Sequence, residues 1–348
     1  MTYLLDPFEE DLVALAAEVV RKEGALSVES PAASHRPELW QRLAGDLGWV
    51  GVVVPEEYGG AGASFAHLCL IVQECGRELV GVPLADSAVA SLVLAELAPD
   101  ELRARLLPGL AAGEVAAALA FGPDVEAQGD HVRGTVRYVL GAPGADLLLV
   151  LAADSDGAVL SAVKGDEVEV RTAKLADHTR LIGHVTFDGP GYVVARGTDA
   201  VTAWDRARAR RAAALAAESA GAAARCVELA TNYALQRRQF GRLIGSYQAV
   251  KHLLANAMIA AEQAKVAARR AATRPPDHRD FVTDSAVAKL FSCAAAQRAA
   301  EGCFQIHGGI AFTAEHPVHL YFRRAQVNNG VVWDGAACIA QVEADLLG

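Results

Sequence analysis

The chain has 348 residues, of which 52% are hydrophobic and 21% are charged, and its formal net charge is −10 at pH 7. This composition provides a large apolar core, excludes a disordered protein and argues against sequence-independent binding of nucleic acid. The apolar runs are too short for a membrane-spanning helix, and the acidic N-terminal segment lacks the apolar stretch of a secretion signal. Six cysteines without a CxxC pair indicate reduced, buried thiols in a cytoplasmic protein and no metal site.

The first zone, residues 1–112, is predicted to be a helical domain. Apolar residues recur at helical spacing in four segments: Leu12–Val19, Leu39–Leu47, Phe65–Leu79 and Ala85–Leu97. Gly48 ends the second of these segments. The Pro- and Gly-rich stretch Pro55–Gly62 is predicted to be a fixed loop, because proline and glycine interrupt helices.

The second zone, residues 113–196, is predicted to be a small antiparallel β domain. Apolar residues alternate from Val132 to Tyr138, as in a half-buried strand, and Leu147–Leu151 is a continuous apolar strand. Asp154–Gly157 is a hairpin-turn signal. Further strands are expected after a second turn, at residues 168–170, 184–187 and 192–195.

The third zone, residues 197–348, is predicted to be a four-helix-type bundle. Ala207–Arg237 is rich in alanine, the strongest helix former. Ser246 is positioned to cap a second long helix that runs to about Ala272, and a third runs from Phe281 to Ile306. Two shorter helices follow at residues 318–327 and 338–347. The fold class is therefore α+β and mostly α.

Three sequence strings carry the functional signal. They are RRQFGRLIGSYQAV at 237–250, QIHGGIAFTAEHP at 305–317 and PEEYGGAG at 55–62. No GxGxxG follows a strand, so a Rossmann nucleotide site is not supported. An arginine and an aromatic residue three positions apart share a helix face, so Arg237 can meet a pyrophosphate while Phe240 covers an adenine or ribose.

The glycine pair in the second string suits the same ligand. Gly308 and Gly309 are expected to end a helix where backbone amides can approach a phosphate closely. Gln305, one turn earlier, can hydrogen-bond the same group.

The order and spacing of these strings, together with the order of the three zones, resemble the acyl-CoA dehydrogenase family of flavoproteins over essentially the whole chain. The resemblance implies FAD as cofactor, α,β-desaturation of an acyl-CoA thioester and an acceptor of the electron-transfer flavoprotein type. It also implies that residues of the first two strings contact the ADP half of FAD across a dimer interface: Arg237, Phe240, Gln248, Gln305, Gly308 and Gly309. Tyr138 would stack on the flavin ring.

The catalytic base is where the sequence departs from this family. The family's usual base is a glutamate in a Tyr-Glu-Gly string, and an ungapped count places it on Val332. Trp333-Asp334-Gly335 matches that string two residues late, so Asp334 is either the base or a cap of the last helix. Some members place the base on the first long bundle helix, where this chain has Arg211, and arginine cannot act as a base at neutral pH.

The residues expected around the flavin ring are also altered. Phe121-Gly122-Pro123 stands where the family has Thr-Glu-Pro, the Gly-Ser-Asp string is missing, and Leu140 replaces a hydroxyl expected near flavin N5. The residues for the ADP half, which in the family serve a neighbour's FAD, are retained. This pattern resembles the short subunits of actinobacterial α2β2 acyl-CoA dehydrogenases of steroid side-chain breakdown.

The sequence therefore predicts the non-base subunit of a hetero-oligomer, which completes the FAD site of a partner. Three alternatives stay open at this point. The first is a homo-oligomeric acyl-CoA or acyl-carrier-protein dehydrogenase that uses Asp334. The others are a relative of flavin monooxygenases and a flavin-free scaffold. The acyl chain is set by cavity shape and cannot be read from the sequence.

Overall fold

The computed structural model describes residues 5–23, 36–155 and 157–347, so Asp156 of the predicted hairpin turn lies outside the described residues. The N-terminal zone is helical: α1 (Pro7–Glu23), α2 (Pro37–Trp40), α3 (Phe65–Arg77), α4 (Leu84–Leu97) and α5 (Asp100–Ala111). α2 continues into one π-helical turn, and Gly48 follows with a positive φ of 63°. α5 is not predicted by the sequence pattern, because it contains Pro108.

The Pro- and Gly-rich stretch is a fixed loop, as predicted. Backbone amides of its second half donate to carbonyls of the turn before it, including Gly62 to Val54 at 2.9 Å and Ala63 to Val52 at 2.8 Å. Gly60 is required here, since a Cβ atom at this position would overlap the carbonyl oxygen of Val54.

A single eight-stranded sheet forms the middle of the chain. Its strands are β1 (Ala117–Ala120), β2 (Val125–Gln128), β3 (His131–Leu140), β4 (Leu147–Asp154), β5 (Gly157–Lys164), β6 (Val168–Thr172), β7 (Ile182–Pro190) and β8 (Tyr192–Arg196). The sheet is mostly antiparallel, in the order β6-β7-β3-β2-β4-β5-β8, but β1 and β2 both pair with β4 in parallel. A bulge interrupts β3 between Val136 and Val139, where Tyr138 has a φ of +59°.

The C-terminal zone is the predicted helical bundle. It contains α6 (Gly197–Gln236), a two-residue hairpin of β9 (Arg238–Gln239) and β10 (Arg242–Leu243), α7 (Gln248–Thr273), α8 (Phe281–His307), α9 (Val318–Gly330) and α10 (Gly335–Leu347). α6 begins ten residues earlier than predicted. The predicted Ser246 cap is wrong: the Ser246 hydroxyl donates to the carbonyl of Leu243, and Tyr247 precedes α7.

Small side chains allow α6, α7 and α8 to pack closely, because alanines dominate their shared core. The mostly α, α+β architecture is therefore confirmed. No helix in the described ranges is long and apolar enough to span a bilayer.

Candidate functional site

The connection between α6 and α7 is an exposed, strained hairpin. Its tip residues Phe240 and Gly241 have φ angles of 50° and 79°, and a two-residue turn of this type needs positive φ at both positions. The Phe240 ring is 92% exposed. Arg237, just before the hairpin, is exposed, and its guanidinium has no partner in the described part of the chain. The hairpin tip therefore exposes an aromatic ring, next to a guanidinium that has no partner among the described residues.

The end of α8 lies close to this hairpin. The rings of Tyr233 and His307 stack at 4.4 Å, which joins the last turns of α6 and α8. Gly308 then ends α8 with φ 66° and ψ −137°, a conformation open essentially to glycine alone. Open space surrounds both Gly308 and Gly309, and the Gln305 side chain is exposed. We call the predicted contacts to the ADP half of FAD the ADP clamp: Arg237 and Phe240 at the hairpin, and Gln305, Gly308 and Gly309 at the end of α8. The structure places both groups at one end of the bundle. Gln248, which begins α7 at the same end, is also exposed.

The predicted flavin-ring residue lies in a different cavity. Tyr138 is 53% exposed and contacts His184 edge to face at 4.9 Å. It lines a cavity of about 180 Å³ together with Phe121, Leu140 and Val332. None of the clamp residues borders this cavity, so the chain does not bring the clamp and Tyr138 into one pocket.

The loop after α9 contains Val332, the position at which the family usually has its catalytic base. Val332 lines the Tyr138 cavity with a φ of +67°, a strained conformation for a β-branched residue. Lys289, buried on α8, holds the loop by donating to the carbonyls of Asn329 and Trp333. Asp334 is exposed, and its Oδ1 accepts a 2.8 Å hydrogen bond from the amide of Ala337, which caps α10. The Asp334 base stays a prediction.

The alternative base position is occupied by an ion pair. Arg211 on α6 donates from Nε to Asp86 Oδ1 on α4 at 2.7 Å, and both side chains are buried. Arg210 pairs with Glu96, which lies nearly three turns further along α4. Asp86 is the one carboxylate among the described residues that line the Tyr138 cavity, and its Oδ1 is engaged by Arg211.

A larger ionic cluster lies beneath the Tyr138 cavity. Arg324 on α9 donates to Glu218 on α6 and to Asp177, which precedes β7, at 2.9 Å each. Arg180 and Asn328 also donate to Glu218. Desolvation alone would raise the pKa of Glu218, but the charges of Arg180 and Arg324 outweigh it and hold the pKa at about 2.

These ions fill the space between α4, α6 and the sheet. The cavity bordered by Asp86, Arg180, Arg211 and Glu218 has a volume of only about 30 Å³, which is room for one water molecule. An acyl chain therefore has no apolar slot at this position. Sequence reasoning missed the cluster, although a signal was present: Arg324 stands where the family's Arg-Asp-Ala string has its aspartate.

Comparison with known proteins identifies the fold and the motifs. The acyl-CoA dehydrogenase N-terminal domain matches residues 7–114, and the acyl-CoA dehydrogenase C-terminal domain matches residues 203–337. The chain belongs to the acyl-CoA dehydrogenase family. The predicted fold, FAD as the family's cofactor and an oxidoreductase that acts on CH–CH bonds are thereby confirmed.

Two curated relatives come from Mycobacterium tuberculosis. Acyl-CoA dehydrogenase IpdE2 is 35% identical over 315 residues, with 89% of this chain and 88% of IpdE2 covered. Acyl-CoA dehydrogenase FadE34 is 37% identical over 321 residues, or 91% of this chain. The match covers only 43% of FadE34, so this chain spans less than half the length of that relative.

Two solved structures are similar over nearly the whole chain. The Tcur3481-Tcur3483 steroid ACAD, a G363A variant, has a TM-score of 0.88 and 28% identity, with 97% of each chain covered. The ChsE4-ChsE5 complex from Mycobacterium tuberculosis has a TM-score of 0.87 and 25% identity, with 100% of this chain and 99% of the other covered. The predicted resemblance to subunits of heteromeric steroid acyl-CoA dehydrogenases is confirmed.

The two ends of FAD differ in how well they fit this chain. The ADP half fits the bundle end, where Arg237 is unpaired, Phe240 is exposed and the space over Gly308 and Gly309 is open. Tyr138, expected at the flavin half, lines two cavities of about 180 Å³ and 360 Å³, and the smaller one is below the roughly 300–1,000 Å³ of typical ligand pockets. Leu140, which lines the smaller cavity, also offers no hydrogen bond to a flavin.

Proposed function

We propose that this chain is the non-base subunit of a hetero-oligomeric, FAD-dependent acyl-CoA dehydrogenase, in which it completes the FAD site of a catalytic partner. The observation that carries the proposal is the loss of both base positions. Val332 occupies one, and Arg211, neutralised by Asp86, occupies the other. Neither side chain can remove the α proton of a thioester.

The exposure of the ADP clamp supports a partner chain. Phe240 and Arg237 are exposed at the end of the bundle, and neither lines the cavity that Tyr138 lines. A desolvated pyrophosphate needs cations and amide donors, and Arg237 with the amides at Gly308 and Gly309 would supply them. FAD, when bound, would supply the hydride acceptor, and the partner would supply the ring pocket, the base and the acyl-CoA pocket.

The relatives support a partner of the same fold. ChsE4-ChsE5 is a complex of two different chains, and the steroid ACAD pairs Tcur3481 with Tcur3483. More than half of FadE34 lies outside its match to this chain, which leaves room for a second unit in one polypeptide. We infer that a second acyl-CoA dehydrogenase subunit is the partner, with electron-transfer flavoprotein as acceptor and the cytoplasm as location.

A self-sufficient homo-oligomer is the alternative. It requires Asp334 to leave its helix cap and reach the Tyr138 cavity, where Val332 now points its side chain. The closed space between α4 and α6 also disfavours a bound acyl chain in this subunit.

The FAD content of the purified chain tests the proposal. Absorbance at 450 nm against protein mass, after gel filtration, should give far less than one FAD per chain for the chain alone. Co-expression with a neighbouring dehydrogenase gene should give about one FAD per two chains. One tightly bound FAD per chain without a partner would contradict the proposal.

A further inference from the structure

A second cavity lies on the other side of Phe121 and is larger than the Tyr138 cavity. Its volume is about 470 Å³, and it opens between the β4–β5 hairpin and α6. The walls are mostly apolar and aromatic, with Phe121, Val125, Leu151 and Trp204 among them. Arg208 is the one charged side chain among the described residues that line it. This volume and this lining are typical of a site for a small organic ligand.

Arg208 differs from its neighbours on α6. Arg210 and Arg211 form ion pairs with acids of α4, whereas Arg208 forms no hydrogen bond or ion pair with any residue that the structure describes. Its Nε is buried without a partner. The guanidinium lies 5.4 Å above the Phe121 ring, which supplies a cation–π contact but no hydrogen-bond acceptor.

The environment of Arg208 favours an anion. Desolvation lowers the pKa of Arg208, and the charge of Asp205, three residues earlier, opposes that shift only in part. A partly buried cation without an acceptor is costly, and an anion that hydrogen-bonds to it offsets the desolvation. The cavity places such an anion against Arg208 and the rest of the ligand against Trp204 and Leu151.

We propose that this cavity binds a monocarboxylic acid with an apolar body. One guanidinium matches one carboxylate in charge and in planar, two-point geometry. A phosphate group carries about 1.5 to 2 negative charges, which one arginine in an apolar cavity would leave uncompensated. This inference rests on the proposed function: no base contacts the bound acid, because Val332, which occupies the usual base position, lines this cavity too. The cavity therefore binds the acid without catalysing a reaction on it.

Calorimetric titration with decanoate and with decan-1-ol tests the proposal, because the two probes differ mainly in the charged head. The wild-type chain, in its complex with the partner, should bind decanoate at least about tenfold more tightly than decanol. Arg208→Met should abolish that preference, and Arg208→Lys should retain part of it. Arg206→Met is the matched control: it removes a cation two residues earlier that does not line this cavity, and it should leave decanoate binding unchanged.

Three results would overturn the proposal: no decanoate binding, equal binding of acid and alcohol, or unchanged binding in Arg208→Met. Far-UV circular dichroism of each variant confirms that it is folded. The FAD content of the same samples is read separately by absorbance. A chain that holds its own FAD but still discriminates acid from alcohol would refute the proposed function and leave the carboxylate site standing.

Discussion

Glu218 joins three parts of the molecule, since it accepts hydrogen bonds from α9 and from the segment before β7. Its pKa is about 2 in the folded chain, against an ordinary value of 4.5. Between these values the unfolded state binds more protons, so the stabilisation is complete above about pH 5 and is lost as the pH falls towards 2. Urea unfolding at pH 7, 4 and 3 should show this fall in the wild type.

Glu218→Gln should reduce that pH dependence by the Glu218 contribution, while Asp177 and other carboxylates with lowered pKa keep theirs. At pH 7 it should lower the free energy of unfolding by about 3–5 kcal/mol, because Arg180 and Arg324 lose their shared carboxylate. Glu301→Gln, at an exposed position of α8, is the control and should change it by less than about 0.5 kcal/mol. An unaltered unfolding curve for Glu218→Gln would show that the cluster does not stabilise the fold.

The hetero-oligomer and the homo-oligomer hypotheses differ in the role of one side chain, Asp334. Asp334→Ala should lower the free energy of unfolding by about 1 kcal/mol through loss of the α10 cap, with no change in turnover of the reconstituted complex. Asp345→Ala, in the last turn of the same helix, should leave stability unchanged or slightly higher. Loss of turnover in Asp334→Ala would instead support the homo-oligomer.

The sequence could identify the clamp residues and the missing base, because each belongs to a contiguous string. It could not reveal the ionic cluster. Asp177 and Glu218 lie more than a hundred residues before Arg324 in the chain and meet it only after α6, α9 and the sheet have packed. Arg208 looked like its arginine neighbours for the same reason, since only the fold shows which of them find an acid.

At the scale of elements, a change in the hairpin between α6 and α7 should affect the stability of the fold and the binding of the cofactor in opposite directions. Phe240 has a positive φ, which is strained for a residue other than glycine. Phe240→Gly should therefore raise the free energy of unfolding of the isolated chain by about 1 kcal/mol while weakening FAD retention by the complex. Chemical denaturation and FAD absorbance after gel filtration measure the two effects.

Leu235→Ala provides the control for this hairpin variant. Leu235 is also exposed, at 63%, but it lies on α6 before the hairpin, so FAD retention should not change. A Phe240→Gly complex that keeps all its FAD through gel filtration would remove the hairpin tip from the cofactor site.

Most long helices and several short elements were predictable, but α5 and β1 were not. α3 has strong helical periodicity, and α3, α4 and α8 all fall within one or two residues of their predicted ends. β1 is only Ala117-Ala118-Leu119-Ala120, a run of helix formers, and it becomes a strand because β4 offers a parallel edge. Ser246 failed as a cap because the hairpin turns its hydroxyl back towards Leu243.

At the scale of the whole molecule, the core shields every thiol. All six cysteines are buried and unpaired in disulfides, and burial raises the pKa of Cys303 to about 12. The native chain should therefore react slowly with a thiol reagent such as dithionitrobenzoate at pH 8, and six thiols should appear on unfolding. Rapid labelling of one or more thiols in the native chain would mean that part of the bundle opens locally.

The left-handed backbone at Val332 has a consequence for redesign of this chain. A β-branched residue gains nothing from a φ of +67°, so the loop and not the valine sets that conformation. Lys289 fixes the loop through the carbonyls of Asn329 and Trp333. We therefore expect Val332→Glu to keep the loop backbone and to add a carboxylate to the lining of the Tyr138 cavity.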